Sequence, residues 1–322
     1  MLVHLPNSAF LGNIDYFLRN LDLTSSSDSL KITANEKWIS VHPVVLSLVS
    51  SLGLKLGPGK TSCEQLTAAS KHYIVRMGLL KFLAVASDIS IIEHEPAGRF
   101  IPITQIQTSG ELSKFITEMI PLLHLQAEQS ETIGYIVSEL VSNVIEHAQS
   151  EHGGIICAQY YKKSNSIRIG IADTGVGIKS TITRFHRAKT DLDAIKLALR
   201  PGITGTTWKE GGTEQNAGAG LFFIKSIANV NRDFFIIYSG NGFYKLLKKA
   251  SSTKSLTLNI DPFQDRHSKI DDLPYWQGTV VGVDITLDQT REFSLLLRAI
   301  RDTYTKDVRE KRKMRYKKPR FI

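Results

Sequence analysis

The sequence has few cysteines and no long apolar run, and both shortages limit what the protein can be. Its 322 residues include two cysteines, Cys63 and Cys157, which are far apart and lack metal-site spacing. We expect both to be reduced thiols of a cytoplasmic protein. The apolar stretches are much shorter than the roughly 20 residues of a transmembrane helix. The N-terminus has no basic segment followed by an apolar core, so neither a membrane span nor a secretion signal is expected.

Positive charge is unevenly distributed along the chain. The formal net charge is +9, and residues 301–322 carry ten Lys or Arg and three Asp or Glu. The rest of the chain is therefore nearly neutral. Nucleic-acid binding, if present, belongs to this basic tail, for which a solvated, flexible end is the alternative interpretation.

Residues 1–105 read as a small α/β region. A helix is predicted over His42–Leu56, preceded by Trp38–Pro43, and a short helix and a strand follow between Tyr73 and Pro102. This order of elements resembles a STAS-like (anti-sigma-antagonist) domain. The stretch Gly57–Thr61 is not a phosphate-binding P-loop, because Leu54 stands where that motif needs its first glycine.

A long amphipathic helix is predicted in the middle of the chain. Its apolar residues recur at helical spacing: Ile133, Ile136, Val137, Leu140, Val141, Val144 and Ile145. Glu139 and Asn143 lie one turn apart on the flank of this stripe. The amide oxygen can hold Mg²⁺ and the carboxylate can orient or deprotonate a nucleophile, although such a pair can also be a solvated helix edge.

Two strands and a glycine motif follow that helix. Residues 154–161 and 166–171 alternate as strands, and the second runs into Asp173, Gly175 and Gly177. A carboxylate after a buried strand can accept a hydrogen bond from an exocyclic amine such as that of adenine. A simple Asp-Thr-Gly turn is the alternative.

Residues 179–217, which we call the lid, form a long polar, Gly/Thr-rich segment with one possible helix at 191–199. Five of its basic side chains are candidates to reach a phosphate: Arg184, Arg187, Lys189, Arg200 and Lys209. Gly218 and Gly220 then precede an apolar helix, whose start favours anions. Strands are predicted at 234–238, 242–247, 255–260 and 279–287, the last preceded by Gly278.

Together these segments resemble the GHKL ATPase superfamily, which includes the ATP-binding domains of histidine kinases, gyrase-type topoisomerases, chaperones and anti-sigma serine kinases. The matching segments are Glu139-x-x-x-Asn143, Asp173-x-Gly175-x-Gly177, Gly218-x-Gly220-Leu221 and Gly278–Thr279. The resemblance implies a two-layer α/β sandwich, the Bergerat ATP-binding fold, over 106–290. The N-terminal α/β domain of residues 1–105 would precede it, and a C-terminal helix and basic tail would occupy 291–322.

The resemblance also implies roles for single residues. Glu139 would be the general base, Asn143 would hold Mg²⁺ and Asp173 would bind the adenine amino group. The remaining nucleotide contacts would come from Gly175, Gly177, Ile178, Gly218, Ala219, Gly220, Leu221 and Thr279. Glu146 has no fixed role in this pattern, and His147 is as consistent with packing as with function.

The nearest branch is that of the anti-sigma kinases, because the sequence shows no histidine-kinase phosphoacceptor helix and has no room for a topoisomerase transducer. Three functions remain open: an ATPase or Ser/Thr kinase using Glu139, a non-catalytic ATP-gated switch, and a nucleotide-gated nucleic-acid binder acting through the tail. The expected cofactors are ATP and Mg²⁺. The expected partner is a regulatory protein, of the STAS type or the target of one, and the chain is a possible homodimer.

Overall fold

The computed structural model describes residues 1–23, 28–87, 89, 99–205, 219–249, 258–287, 298, 301–303, 305, 306 and 309. These residues form two sheets with helices packed on them. None of the helices in these ranges combines the length and the apolar character needed to cross a bilayer.

The N-terminal region builds a small parallel sheet with helices around it. Its elements are β1 (Leu2–Leu5), α1 (Ile14–Arg19), β2 (Leu30–Ala34), α2 (Pro43–Leu56), β3 (Thr61–Cys63), α3 (Lys71–Arg76) and α4 (Leu79–Phe82). β2 pairs in parallel with β1 on one side and β3 on the other. The predicted helix at 42–56 is confirmed as α2, whereas the STAS-like assignment stays a prediction.

The main sheet has seven strands in the described residues. They are β4 (Phe100–Ile106), β5 (Gly154–Tyr161), β6 (Ser166–Ala172), β7 (Phe235–Gly240), β8 (Gly242–Leu246), β9 (His267–Ile270) and β10 (Trp276–Thr286). Their order is β4-β5-β6-β10-β7-β8-β9, and every neighbouring pair is antiparallel. The predicted domain boundary at residue 105 falls inside β4, the edge strand of this sheet.

Five further helices belong to this part of the chain: α5 (Ser109–Lys114), α6 (Ala127–Asn143), α7 (Gly177–Ile182), α8 (Asp191–Ala198) and α9 (Gly220–Val230). α5 starts at a capping box, in which the Thr108 hydroxyl accepts from the Glu111 amide and the Glu111 carboxylate accepts from the Thr108 amide. α6 continues into a π-helical turn at Val144–Ala148. The apolar stripe of α6 packs with α9 on one face of the main sheet, which confirms the predicted α/β sandwich.

The other face of the main sheet is covered by α2. Every α2 residue from Pro43 to Gly53 is buried, and α2 shares one core with β5, β6, β7 and β10. Gly170 of β6 lies so close to the backbone of Val44 that a β-carbon there would overlap it. The Ser47 hydroxyl donates to the Gly170 carbonyl oxygen at 2.9 Å, and the Ser51 hydroxyl donates to that of Ala172 at 3.2 Å.

The structure contradicts one prediction for the second half of the chain and agrees with another. A strand at 255–260 is wrong for the described residues 258–260, which are not in a strand, while 255–257 lie outside the described ranges. β9 replaces it a few residues later. In the predicted C-terminal region 291–322, the described residues 298, 301–303, 305, 306 and 309 are helical, and the basic run after them lies outside the description.

Candidate functional site

α6 places Glu139 and Asn143 together beside the main cavity. The apolar side of this helix is buried in the core, so both polar side chains project at its edge, where each is half-buried. The Asn143 Nδ2 donates a hydrogen bond of 2.7 Å to the backbone oxygen of Glu139. The bond fixes the orientation of the amide through its nitrogen and leaves the side-chain oxygen, the atom by which an amide binds a metal ion, on the other branch of the group.

The Glu139 carboxyl group lies in surroundings that raise its proton affinity. Burial is the main cause that raises the pKa of Glu139, and the negative charge of Glu146 adds to it. The Tyr135 hydroxyl, one turn earlier on α6, donates a hydrogen bond to this carboxylate and opposes the rise. A carboxylate of raised pKa at the edge of a cavity suits a general base.

Asp173 lines the same cavity and lies directly after β6. Its Oδ1 accepts a hydrogen bond of 2.8 Å from the Gly175 amide, and its own amide donates to the Thr279 carbonyl oxygen at 2.9 Å. The Trp276 indole nitrogen donates to the Asp173 carbonyl oxygen at 3.1 Å. Desolvation outweighs the backbone hydrogen bonds and raises the pKa of Asp173 to about 7.

The loop after Asp173 is held by a serine that sequence analysis missed. The Ser239 hydroxyl on β7 accepts from the Ile178 amide at 3.0 Å and donates to the Gly278 carbonyl oxygen at 2.6 Å. Gly177, beside it, has φ +77, a conformation that favours glycine. Ser239 therefore fixes the loop and β10 relative to each other, and a lone serine within a strand gave no sequence signal.

Gly175 has a different environment from the one that its motif predicts. It is buried against the carbonyl oxygen of Ala148, with no space for a β-carbon, and is not among the residues that line the cavity. Its glycine character is explained by contact with the end of the α6 π-helical turn. A role of Gly175 in nucleotide contact stays a prediction.

One cavity of about 600 Å³ brings most of the predicted site residues together. Its lining includes Glu139, Asn143, Asp173, Gly177, Ile178, Ala219, Gly220, Leu221 and Thr279, together with Glu146 and His147. Gly218 lies outside the described residues. The lining also contains residues that were not predicted, among them Tyr135, Thr204, Arg301 and Thr305.

The lid is described up to residue 205. It contains the last four residues of α7 and all of α8, and residues 203–205 line the cavity, whereas 206–217, with Lys209, lie outside the described residues. The predicted helix at 191–199 is confirmed as α8. Of the five basic side chains of the lid that were candidates to reach a phosphate, Arg184, Arg187, Lys189 and Arg200 are described, and none of these four is among the lining residues.

No group of three or more His, Cys, Asp or Glu side chains able to hold a metal occurs among the described residues. The residues that line the cavity still fit Mg²⁺, because this ion binds through one or two protein ligands, water and substrate phosphates. Asn143 lines the cavity, and its role as a magnesium ligand stays a prediction.

The comparison with known families agrees with this geometry. The family model of the histidine kinase-like ATPase domain matches residues 104–232, from β4 to just beyond α9. Residues 104–232 thus carry a GHKL-type domain, and a domain of this type implies ATP binding. No curated protein matches the chain at a significant level.

Proposed function

We propose that this protein is an Mg²⁺-dependent, ATP-binding regulatory protein that hydrolyses ATP or transfers its γ-phosphate to a Ser or Thr of a partner protein. The observation that carries the proposal is that Asp173, Asn143 and Glu139 line one cavity. Within it, the Glu139 side chain lies against Gly220, the first residue of α9. Each of these side chains matches one part of the nucleotide.

The adenine end is assigned to Asp173. A buried carboxylate accepts the hydrogen bond of an exocyclic amine strongly, and the surroundings of Asp173 are apolar, as a base requires: Ile171, Ile178 and Val281 line the same cavity. Its hydrogen bond to Gly175 and its buried backbone keep the carboxylate oriented.

The phosphate end is assigned to Asn143 and to the start of α9. Asn143 would hold the Mg²⁺ that neutralises phosphate charge, and the first amides of α9, at Gly220 and Leu221, would face the phosphates. Glu139 contacts Gly220, so the base lies beside the same helix start.

Glu139 would accept a proton from water or from a hydroxyl group. The oxygen that loses this proton forms the new bond to the γ-phosphorus, the bond to the β-phosphate oxygen breaks, and ADP leaves. With water the product is phosphate, and with a protein hydroxyl it is a phosphoprotein.

The test compares wild type with Glu139→Gln and Asp173→Asn. We expect Glu139→Gln to bind Mg·ATP normally and to lose turnover by about 10²–10⁴-fold, and Asp173→Asn to lose affinity for ATP and ADP alike. Glu131→Gln, an exposed glutamate of the same helix, is the matched control. Radiolabelled ATP with candidate partner proteins separates phosphate release from phosphoprotein formation.

Two results would change the conclusion. If wild type binds ATP but gives neither phosphate nor phosphoprotein, the protein is a non-catalytic switch that ATP closes. If wild type with Mg²⁺ has no affinity for ATP or ADP, and Asp173→Asn changes nothing, the nucleotide assignment itself is wrong.

A further inference from the structure

The cavity presents more negative than positive charge to a ligand that is itself an anion. Three carboxyl groups line it, those of Glu139, Glu146 and Asp173. In the described part of the chain, Arg301 is the one Lys or Arg of the lining. ATP remains an anion even with Mg²⁺ bound, so a cation near its outermost phosphate is needed to offset Glu139 and Glu146.

Arg301 lies at the end of the cavity away from Asp173. Along α6 and its π-helical turn the order is Tyr135, Glu139, Asn143 and Ala148, and Ala148 is the residue that contacts the Asp173 loop through the Val176 amide, at 2.7 Å. The positive charge of Arg301 acts on Tyr135, where it opposes the rise in pKa that burial causes. Arg301 is thus on the far side of Glu139 from the adenine end.

Arg301 belongs to a chain segment that the family match does not include. Residues 301–303, 305 and 306 are helical, and Arg301 and Thr305, one turn apart, both line the cavity. The matched domain ends at residue 232. The C-terminal segment therefore adds its own side chains to a cavity that is lined mainly by residues 104–232, with Thr279 and Val281 of β10.

We propose that Arg301 binds the terminal phosphate of ATP and makes the site select the triphosphate over the diphosphate. This inference rests on the proposed function and assigns a residue and a nucleotide selectivity to the same site. An Arg–phosphate contact is charge-assisted and bidentate, and it exists only while the γ-phosphate is present. The C-terminal segment is then held more firmly in the ATP state than in the ADP state, so hydrolysis or transfer releases it.

The experiment measures equilibrium binding of Mg·ADP and of the non-hydrolysable Mg·β,γ-imido-ATP to the full chain. For Arg301→Ala we expect affinity for the imido analogue to fall about ten- to hundredfold, with ADP affinity within about threefold of wild type. Arg301→Lys should retain part of the preference, because it keeps the charge and loses the bidentate geometry. Arg298→Ala, an exposed arginine of the same segment that is not in the lining, should bind both ligands as wild type does.

A second measurement reports on the segment itself. Amide hydrogen exchange at residues 301–306 should be slower with the imido analogue than with ADP in wild type, and equal with both in Arg301→Ala. Arg301 is exposed, so thermal unfolding without nucleotide should be unchanged by its replacement, and Arg301→Gln provides a second neutral variant.

The outcomes separate this inference from the proposed function. If wild type binds nucleotide and Arg301→Ala weakens both ligands equally, or neither, the assignment of Arg301 is overturned while the nucleotide site stands. If wild type binds neither ligand, both are overturned together.

Discussion

The carboxylate of Glu139 lies against Gly220 so closely that a β-carbon on residue 220 would overlap Glu139 Oε2. The contact joins α6, which carries the proposed base and the proposed metal ligand, to the first residue of α9. Glycine at position 220 lets these two helices meet at the side of the cavity that we assign to the phosphates.

Gly220→Ala should therefore impair the site. The added methyl group must displace Glu139 or the start of α9, and we expect ATP affinity to fall about tenfold or more. Gly134→Ala is the matched control, because that glycine lies within α6 and a β-carbon added there would come no closer than 3.9 Å to Ile120 Cδ1. The control should leave binding unchanged and raise stability by about 0.5–1 kcal/mol. Calorimetric titration with Mg·ATP decides, and normal affinity in Gly220→Ala would show that the contact is not needed.

Nucleotide affinity should depend on pH through Asp173. Because the pKa of Asp173 is raised to about 7, the carboxyl is protonated below that pH and is then a weaker acceptor for the adenine amine. We expect ADP affinity to rise with pH through 7, by at most about tenfold per unit. Asp173→Asn serves as the control, since any pH dependence that it keeps belongs to the phosphates or to other groups. Equal pH profiles in the two proteins would contradict the assignment.

The stability of the ligand-free protein should change with pH in the opposite direction. The folded state keeps the Asp173 proton up to about pH 7, whereas an unfolded aspartate releases it near pH 4. Between these values the folded state holds more protons, so the free energy of unfolding falls as pH rises, by at most about 1.4 kcal/mol per unit. Denaturant unfolding at pH 5, 6 and 7 should show a smaller decline for Asp173→Asn than for wild type.

Tyr135 should set the working pH of Glu139. Its hydrogen bond lowers the pKa of Glu139 against the effect of burial, so Tyr135→Phe should move the acidic limb of the kcat profile to higher pH. Tyr160→Phe removes a tyrosine hydroxyl at the β5–β6 turn, bonded to Asn165 at 2.8 Å, and is the control. A profile that keeps its acidic limb in Tyr135→Phe would mean that Tyr135 only packs.

Gly170→Ala should weaken the contact between α2 and the main sheet. A β-carbon at 170 would overlap the backbone of Val44, which cannot move as a side chain can. We expect a loss of about 1–3 kcal/mol of unfolding free energy. Gly154→Ala meets only side-chain carbons of Ile171 and Val144, at 3.3 Å or more, and should be milder. If both variants lose a comparable amount of unfolding free energy, the close approach of Val44 to Gly170 is not the cause of the effect.

The sequence predicted the nucleotide-binding half well because its signals are local. The stripe of α6, the alternation of β5 and β6, and the glycines after them each follow from side chains close in sequence. Tyr135 was missed although its spacing of four from Glu139 was visible, since a tyrosine in an apolar stripe reads as core. Ser239 and Arg301 were missed because only the folded chain brings Ser239 to the loop after Asp173 and Arg301 to the cavity.

The position of α2 was also not predicted, although two signals were present. The helix is apolar on nearly every side, which is typical of a helix buried all round, and Gly170 interrupts a strand that otherwise reads Ile-Arg-Ile-Gly-Ile. A glycine inside a strand indicates a close approach by another backbone. Neither signal showed that α2 and β6 pack against each other, because Gly170 lies more than 100 residues after α2.

The hydroxyl groups of Ser47 and Ser51 fasten α2 to the carbonyls of β6, the strand that leads to Asp173. A chimera that transplants residues 104–286, which include all but the first residues of the main sheet, would leave behind the helix that covers one of its faces. A graft of this ATPase unit should therefore include residues 43–56. A domain fused to α2 that shifts this helix should also shift β6, and with it Asp173, at the side of the cavity that we assign to adenine.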